Sequence, residues 1–137
     1  MTSTVVYEGD LRTNATHLQS STAIETDAPT DNNGKGERFS PTDLLATSLA
    51  SCMITIMGIK ARTMDIDIEG IRADVEKIMK AEPRRVSGIN INFHIPDTLK
   101  TLDEKSRTIL KNAANSCPVM HSIHPDIHVE VDWKDWK

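Results

Sequence analysis

The chain has 137 residues, the size of one domain. Hydrophobic residues make up 38% and aromatic residues only 4%, so the core must come from Ile, Leu, Val, Met and Ala, and oligomerisation would add burial that so lean a core lacks. The net charge of −4, with both signs interspersed, gives no basic footprint for nucleic acid and no cationic amphipathic helix for a membrane surface.

The opening MTSTVVYEGD has neither a basic region nor an apolar run of the secretory kind, so a soluble cytoplasmic protein is expected. Residues 4–7 are β-branched and aromatic, and Glu8-Gly9-Asp10 is a turn signal. Further strand-like pieces lie around 16–19 and 23–26, completing an N-terminal β-meander. DAPTDNNGKG, residues 27–36, is dense in Pro, Asn, Asp and Gly and must be a loop.

Residues 39–64 contain the longest uncharged run, 44–59, and hold Cys52, one of two cysteines. Ser40 suits the N-cap, Pro41 the first helical position, and Asp43 the return bond of a capping box. Leu45, Leu49, Cys52 and Ile56 fall on one face, and Ala46, Ala50, Met53 and Met57 on another. A helix apolar nearly all round is expected to be buried nearly all round. The uncharged run is shorter than the roughly 20 residues that span a bilayer, which makes this a central core helix.

Ile71, Ala73 and Val75 alternate loosely with charged residues. Glu82-Pro83 breaks the run, and Ile89, Ile91, Phe93 and Ile95 then alternate strictly with Asn90, Asn92 and His94. The two runs suit an antiparallel pair with one wet face. Thr101 to Glu104 reads as a capping box opening a helix to about Ser116. Pro118 permits a short helix over 119–123, and Ile127, Val129, Val131 and Trp133 give a final strand. The order is α+β in a single domain, 1–137.

The chemistry candidates are few. Cys52 lies in the central helix and Cys117 between two helices, where free N–H groups can lower a thiol pKa. In a reducing compartment such thiols are either inert core residues or a transient redox pair. Cys117, His121 and His124 have zinc-ligand residue types, but Pro118 and Pro125 interrupt them and no second cluster exists, so no metal site is assigned. Arg12 and Arg38 are the arginines placed to reach a thiolate from a loop. Asp43 has a sufficient role at the helix start.

Taken together, FSPTDLLATSLASCM and the later NSCPVMHSI resemble the OsmC/Ohr family, the osmotically inducible and organic hydroperoxide resistance proteins, on the OsmC-like branch. The likeness extends to Tyr7, Gly9 and Leu11, to the TDAP…GKG loop and to the last strand. It implies an OsmC-like fold and an intertwined homodimer with two sites at the subunit interface. It also implies a thiol peroxidase acting on organic hydroperoxides in oxidative or osmotic stress. Cys52 would be the peroxidatic and Cys117 the resolving cysteine, an external dithiol such as a lipoylated protein the reductant, and no cofactor is called for. The family places a Glu one residue after the helix-start Pro, where it orients a catalytic Arg. Thr42 stands there, with Asp43 one step on, about 100° further round the helix. Arg12 is the nearest match to the family's Arg. A non-catalytic small-molecule-binding protein on the same fold is the alternative.

Overall fold

The structure is a computed structural model that describes all 137 residues. The chain divides into two compact units, Met1–Leu45 and Ala46–Lys137.

The first unit is a three-stranded meander of β1 (Ser3–Gly9), β2 (Arg12–His17) and β3 (Ala23–Asp27), paired antiparallel in that order. The middle strand begins earlier than the expected piece around 16–19. Arg12 to Ala15 carries no apolar alternation, but pairing on both sides (Val5 with Ala15, Ala15 with Ile24) draws it into the sheet. The loop runs over residues 28–40 with one 3₁₀ turn at Thr30–Asn32, longer than the expected 27–36, and Asp27 belongs to β3 instead. Gly36 and Ala28 clasp its ends, the Gly36 N–H donating to the Ala28 carbonyl at 3.2 Å. Gly34 is required here, because a Cβ would fall onto that same carbonyl. The buried side chains of this unit are Thr26, Asp27 and Ser40, all polar, while Val5, Val6, Tyr7, Leu11 and Ile24 are exposed.

Helix α1 (Pro41–Thr63) starts as the sequence predicts. The Asp43 N–H donates to Ser40 Oγ at 3.0 Å and the Ser40 N–H donates to Asp43 Oδ2 at 2.9 Å, a closed capping box. Its 23 residues are long and apolar enough to cross a membrane by length and composition alone. From Ala46 onward the helix is the spine of the second unit, with Ala46, Leu49, Ala50, Met53, Met57 and Ala61 in the core. Burial all round does not hold in the single chain. The buried residues form one stripe at helical spacing, and Leu45, Ser48, Ser51, Thr55 and Ile59 are exposed.

The second sheet has the order β4 (Arg72–Lys80), β5 (Arg85–His94), β6 (His128–Asp132). The first pair is the predicted antiparallel one. Ile89, Ile91 and Phe93 are fully buried, and Asn90, Asn92 and His94 take the other face. β6 lies parallel to β5, which requires a crossover between them. Three helices supply it: α2 (Asp97–Lys100), α3 (Glu104–Asn115) and α4 (Pro118–Ser122). The expected Thr101 cap is replaced. A short helix ends on Thr101, and Asp103 caps α3 by accepting the Ser106 N–H at 2.9 Å. The chain end is tied in by Trp136, fully buried, whose indole N–H donates to the Leu99 carbonyl at 3.0 Å.

Candidate functional site

Cys52 sits midway along α1, beside the buried stripe rather than in it, and is partly exposed. Cys117 follows the last turn of α3 in extended geometry (φ −68°, ψ 150°) and is the N-cap of α4, with Pro118 at its first position. Its sulfur accepts the Met120 N–H at 3.4 Å. Cys117 is fully buried, packed in the same core as Leu49, Met53 and Leu110. The two thiols are free, and the Cys52 sulfur is near enough to act on the Cys117 thiol.

Their environments differ, and the difference orders their chemistry. Burial pushes the Cys117 thiol up, and the neighbouring Cys52 sulfur pushes it the same way, both as a hydrogen-bond acceptor and as a charge. The Met120 and Val119 N–H groups pull in the opposite direction without prevailing. The position between two helices therefore does not give the lowered pKa that the sequence suggests, because desolvation outweighs two amide bonds. Cys117 is kept as a thiol beside the accessible Cys52.

The remaining sequence candidates lie in the first unit. Arg12 is the register partner of Asp27, and its fork closes on that carboxylate: Nε donates to Oδ1 at 2.7 Å and Nη2 to Oδ2 at 2.9 Å. Nη2 also donates to Glu37 Oε2 at 3.2 Å. The Glu37 N–H donates to Asp27 Oδ2 at 3.1 Å. The hydrogen bond from Arg12 is the chief reason the Asp27 carboxyl lies below the usual range, and the same bond raises the guanidinium. Arg38 donates to Glu25 Oε2 at 2.7 Å and is largely exposed. Asp43 is engaged in the capping box described above. Thr42 Oγ1 shares a 3.2 Å hydrogen bond with Ser40 Oγ.

Asp27 is the residue that sequence reading missed. In TDAP it passes for a turn former, and only the β2–β3 register pairs it with Arg12. The Met120 N–H is a second omission, signalled only by Pro118 opening a helix directly after the cysteine. Cys117, His121 and His124 do not gather into a group of ligands.

The chain as a whole has known relatives. Residues 34–132 match the family model described as OsmC-like protein. The chain belongs to the OsmC-like family. A crystal structure from Psychrobacter arcticus 273-4, of a protein provisionally described as osmotic stress induced and of the detoxification response, is 60% identical. The match covers 96% of this chain and 94% of that one, with a TM-score of 0.91. The fold is shared at lower identity by an organic hydroperoxide resistance protein OsmC from Legionella pneumophila (19% identity, 96% of each chain, TM-score 0.73). It is also shared by the organic hydroperoxide resistance protein OhrB of Bacillus subtilis (19% identity, 96% and 97% of the two chains, TM-score 0.63). No curated protein matches the chain. The expected OsmC-like α+β fold is thus the fold of this protein.

Proposed function

We propose that this OsmC-like protein is a cytoplasmic thiol peroxidase that reduces organic hydroperoxides through Cys52 and Cys117 in oxidative or osmotic stress. The observation that carries the reading is the pairing of a partly exposed free thiol with a fully buried one that it neighbours. Thiolate Cys52 attacks the distal peroxide oxygen, the O–O bond breaks and the alcohol departs. Cys52 is then a sulfenic acid. Cys117 attacks its sulfur, and hydroxide leaves with the Cys117 proton as water, giving the disulfide. An external dithiol, such as a lipoylated protein, supplies the two electrons that restore both thiols.

Arg12 is the proposed cation of the reaction. Asp27 and Glu37 occupy Nε and Nη2, so Nη1 lies outside those bonds and is available to an oxygen or a thiolate. Asp43 contributes by fixing the start of the helix that carries Cys52. The whole chain acts as one OsmC-like domain in a homodimer. The dimer is supported by the lean core and by the apolar side chains of the first unit, Val5, Val6, Tyr7 and Ile24, which that unit leaves exposed.

The test is consumption of cumene hydroperoxide in the presence of a dithiol. Turnover should depend on Cys52, and a rate no greater than that of Cys52→Ser would overturn the reading.

One observation favours a second reading, a small-molecule-binding protein without turnover. A cavity of about 530 Å³ lies along the exposed face of α1, lined by Thr55, Ile59 and Arg62 together with Ile66 and Ile68. Ligand-dependent thermal stabilisation that survives replacement of both cysteines by Ser would support it.

A further inference from the structure

Asn33-Gly34 is the one place in the chain where Gly follows Asn. Such a dipeptide is chemically unstable in a flexible backbone. The Gly nitrogen has no side chain beside it to shield it, and it can attack the Asn side-chain amide carbon. A C–N bond forms, and ammonia leaves with the Gly amide proton. Water then opens the resulting succinimide. Addition at the side-chain carbon gives aspartate. Addition at the backbone carbon gives isoaspartate, whose main chain runs on through the side-chain methylene.

The loop between β3 and α1 holds this dipeptide in a form that does not react. Asn33 is exposed, so water reaches its amide. It stands in the left-handed region (φ 65°, ψ 9°), which Asn tolerates. At that ψ the Gly34 nitrogen eclipses the nitrogen of Asn33 itself and is turned away from the side chain. Its N–H is also engaged, donating to the Pro29 carbonyl at 3.0 Å. The Asn32 N–H donates to the same carbonyl at 2.9 Å, and the bond from Gly36 to Ala28 closes the loop outside both. Reaction therefore requires these bonds to open and ψ of Asn33 to turn. The two products differ in what they can rebuild. Aspartate leaves the backbone as it was. Isoaspartate lengthens it by a methylene next to Gly34, where a Cβ finds no room beside the Ala28 carbonyl.

We propose that Asn33 is a deamidation site gated by this loop: the closed clasp protects it, each opening exposes it to ring closure, and the isoaspartyl product cannot close the clasp again. The loop leads directly into Glu37, whose N–H donates to Asp27 and whose carboxylate accepts from Arg12. Its opening therefore reaches the Arg12–Asp27 fork. The inference is independent of the thiol chemistry.

The experiment ages the full-length protein in mildly alkaline buffer, folded and in urea, and follows Asn33 by peptide mass for conversion of its amide to an acid. Conversion should be slower in the folded protein by about tenfold or more, a ratio set by the free energy of local opening. Equal rates overturn the proposal, and so does an Asn33 that stays intact in urea. Gly36→Ala strains the clasp without touching the dipeptide, because Gly36 has φ +64° and its Cβ would press on Thr30. The folded variant should convert faster than the parent, and an unchanged rate overturns the gate. Trypsin cleavage after Lys35 keeps the last point testable even if that variant does not fold. Aged protein carrying isoaspartate should be cut there readily, while Asn33→Asp, which has the acid on an unaltered backbone, should resist as the parent does. Equal resistance of all three overturns the claim that the clasp cannot close again.

Discussion

Arg12 and Asp27 face each other across β2 and β3 as register partners, and two parallel hydrogen bonds of 2.7 and 2.9 Å lock the guanidinium to the carboxylate. Asp27 is almost wholly enclosed, so the charge has little recourse to water if its partner is removed.

The pair predicts a specific acid response. Asp27 titrates below the ordinary carboxylate range, chiefly because of the hydrogen bond from Arg12. Its contribution to stability is therefore complete above the unfolded carboxylate pKa of about 3.9 and is lost as pH falls through the lowered native value. Asp27→Asn should lower the urea midpoint at neutral pH and flatten the fall between pH 5 and 2. Urea titrations across that range check it.

The catalytic candidates predict separable phenotypes. Cys52→Ser should abolish hydroperoxide consumption. Cys117→Ser should still release one equivalent of alcohol and then stall as a sulfenic acid that dimedone traps. Arg12→Ala should slow the first step by roughly 10²–10³-fold, the usual effect of removing one donor from a developing negative charge. Single-turnover mixing with cumene hydroperoxide, read by mass spectrometry, distinguishes the three.

Cys117 predicts an alkaline response of opposite sign. Burial, followed by the Cys52 sulfur, raises its thiol above the ordinary value of 9.0. A raised pKa in an acidic group means stability that is full below the unfolded value and lost as pH climbs towards the native one. Denaturation midpoints of the reduced protein should therefore fall above pH 9, by at most about 1.4 kcal/mol per pH unit from this group. Cys117→Ala should remove that part of the slope.

Trp136 predicts a large cost far from the thiols. It is fully buried, its indole N–H donates to the Leu99 carbonyl, and its own carbonyl accepts Lys111 Nζ at 2.7 Å. Trp136→Ala should destabilise by about 3–5 kcal/mol, from the cavity and from the lost indole hydrogen bond to the Leu99 carbonyl, which keeps its backbone partners Thr101 and Leu102. Equilibrium urea unfolding measures it.

Legibility in the sequence followed the range of the interaction. The start of α1 could be read because Ser40 and Asp43 meet within one turn. The faces of β5 could be read because Ile89, Ile91 and Phe93 alternate with polar residues at the period of a strand. The Arg12–Asp27 fork could not be read, since it depends on how two strands are set against each other. The full burial of Cys117 was hidden for a related reason, because the core it joins is built from residues such as Leu49 and Met53 in another part of the chain. Composition overstated the enclosure of α1, because it counts apolar residues without saying which side they face.

The exposed apolar side chains of β1 have a consequence for handling the protein. β1 is an edge strand of its sheet, and Val5, Val6 and Tyr7 on it are all more than half exposed. An edge of that kind invites pairing with whatever strand arrives first. If the homodimer covers it, the melting temperature will rise with protein concentration, and dilution will act on this chain as a denaturant does.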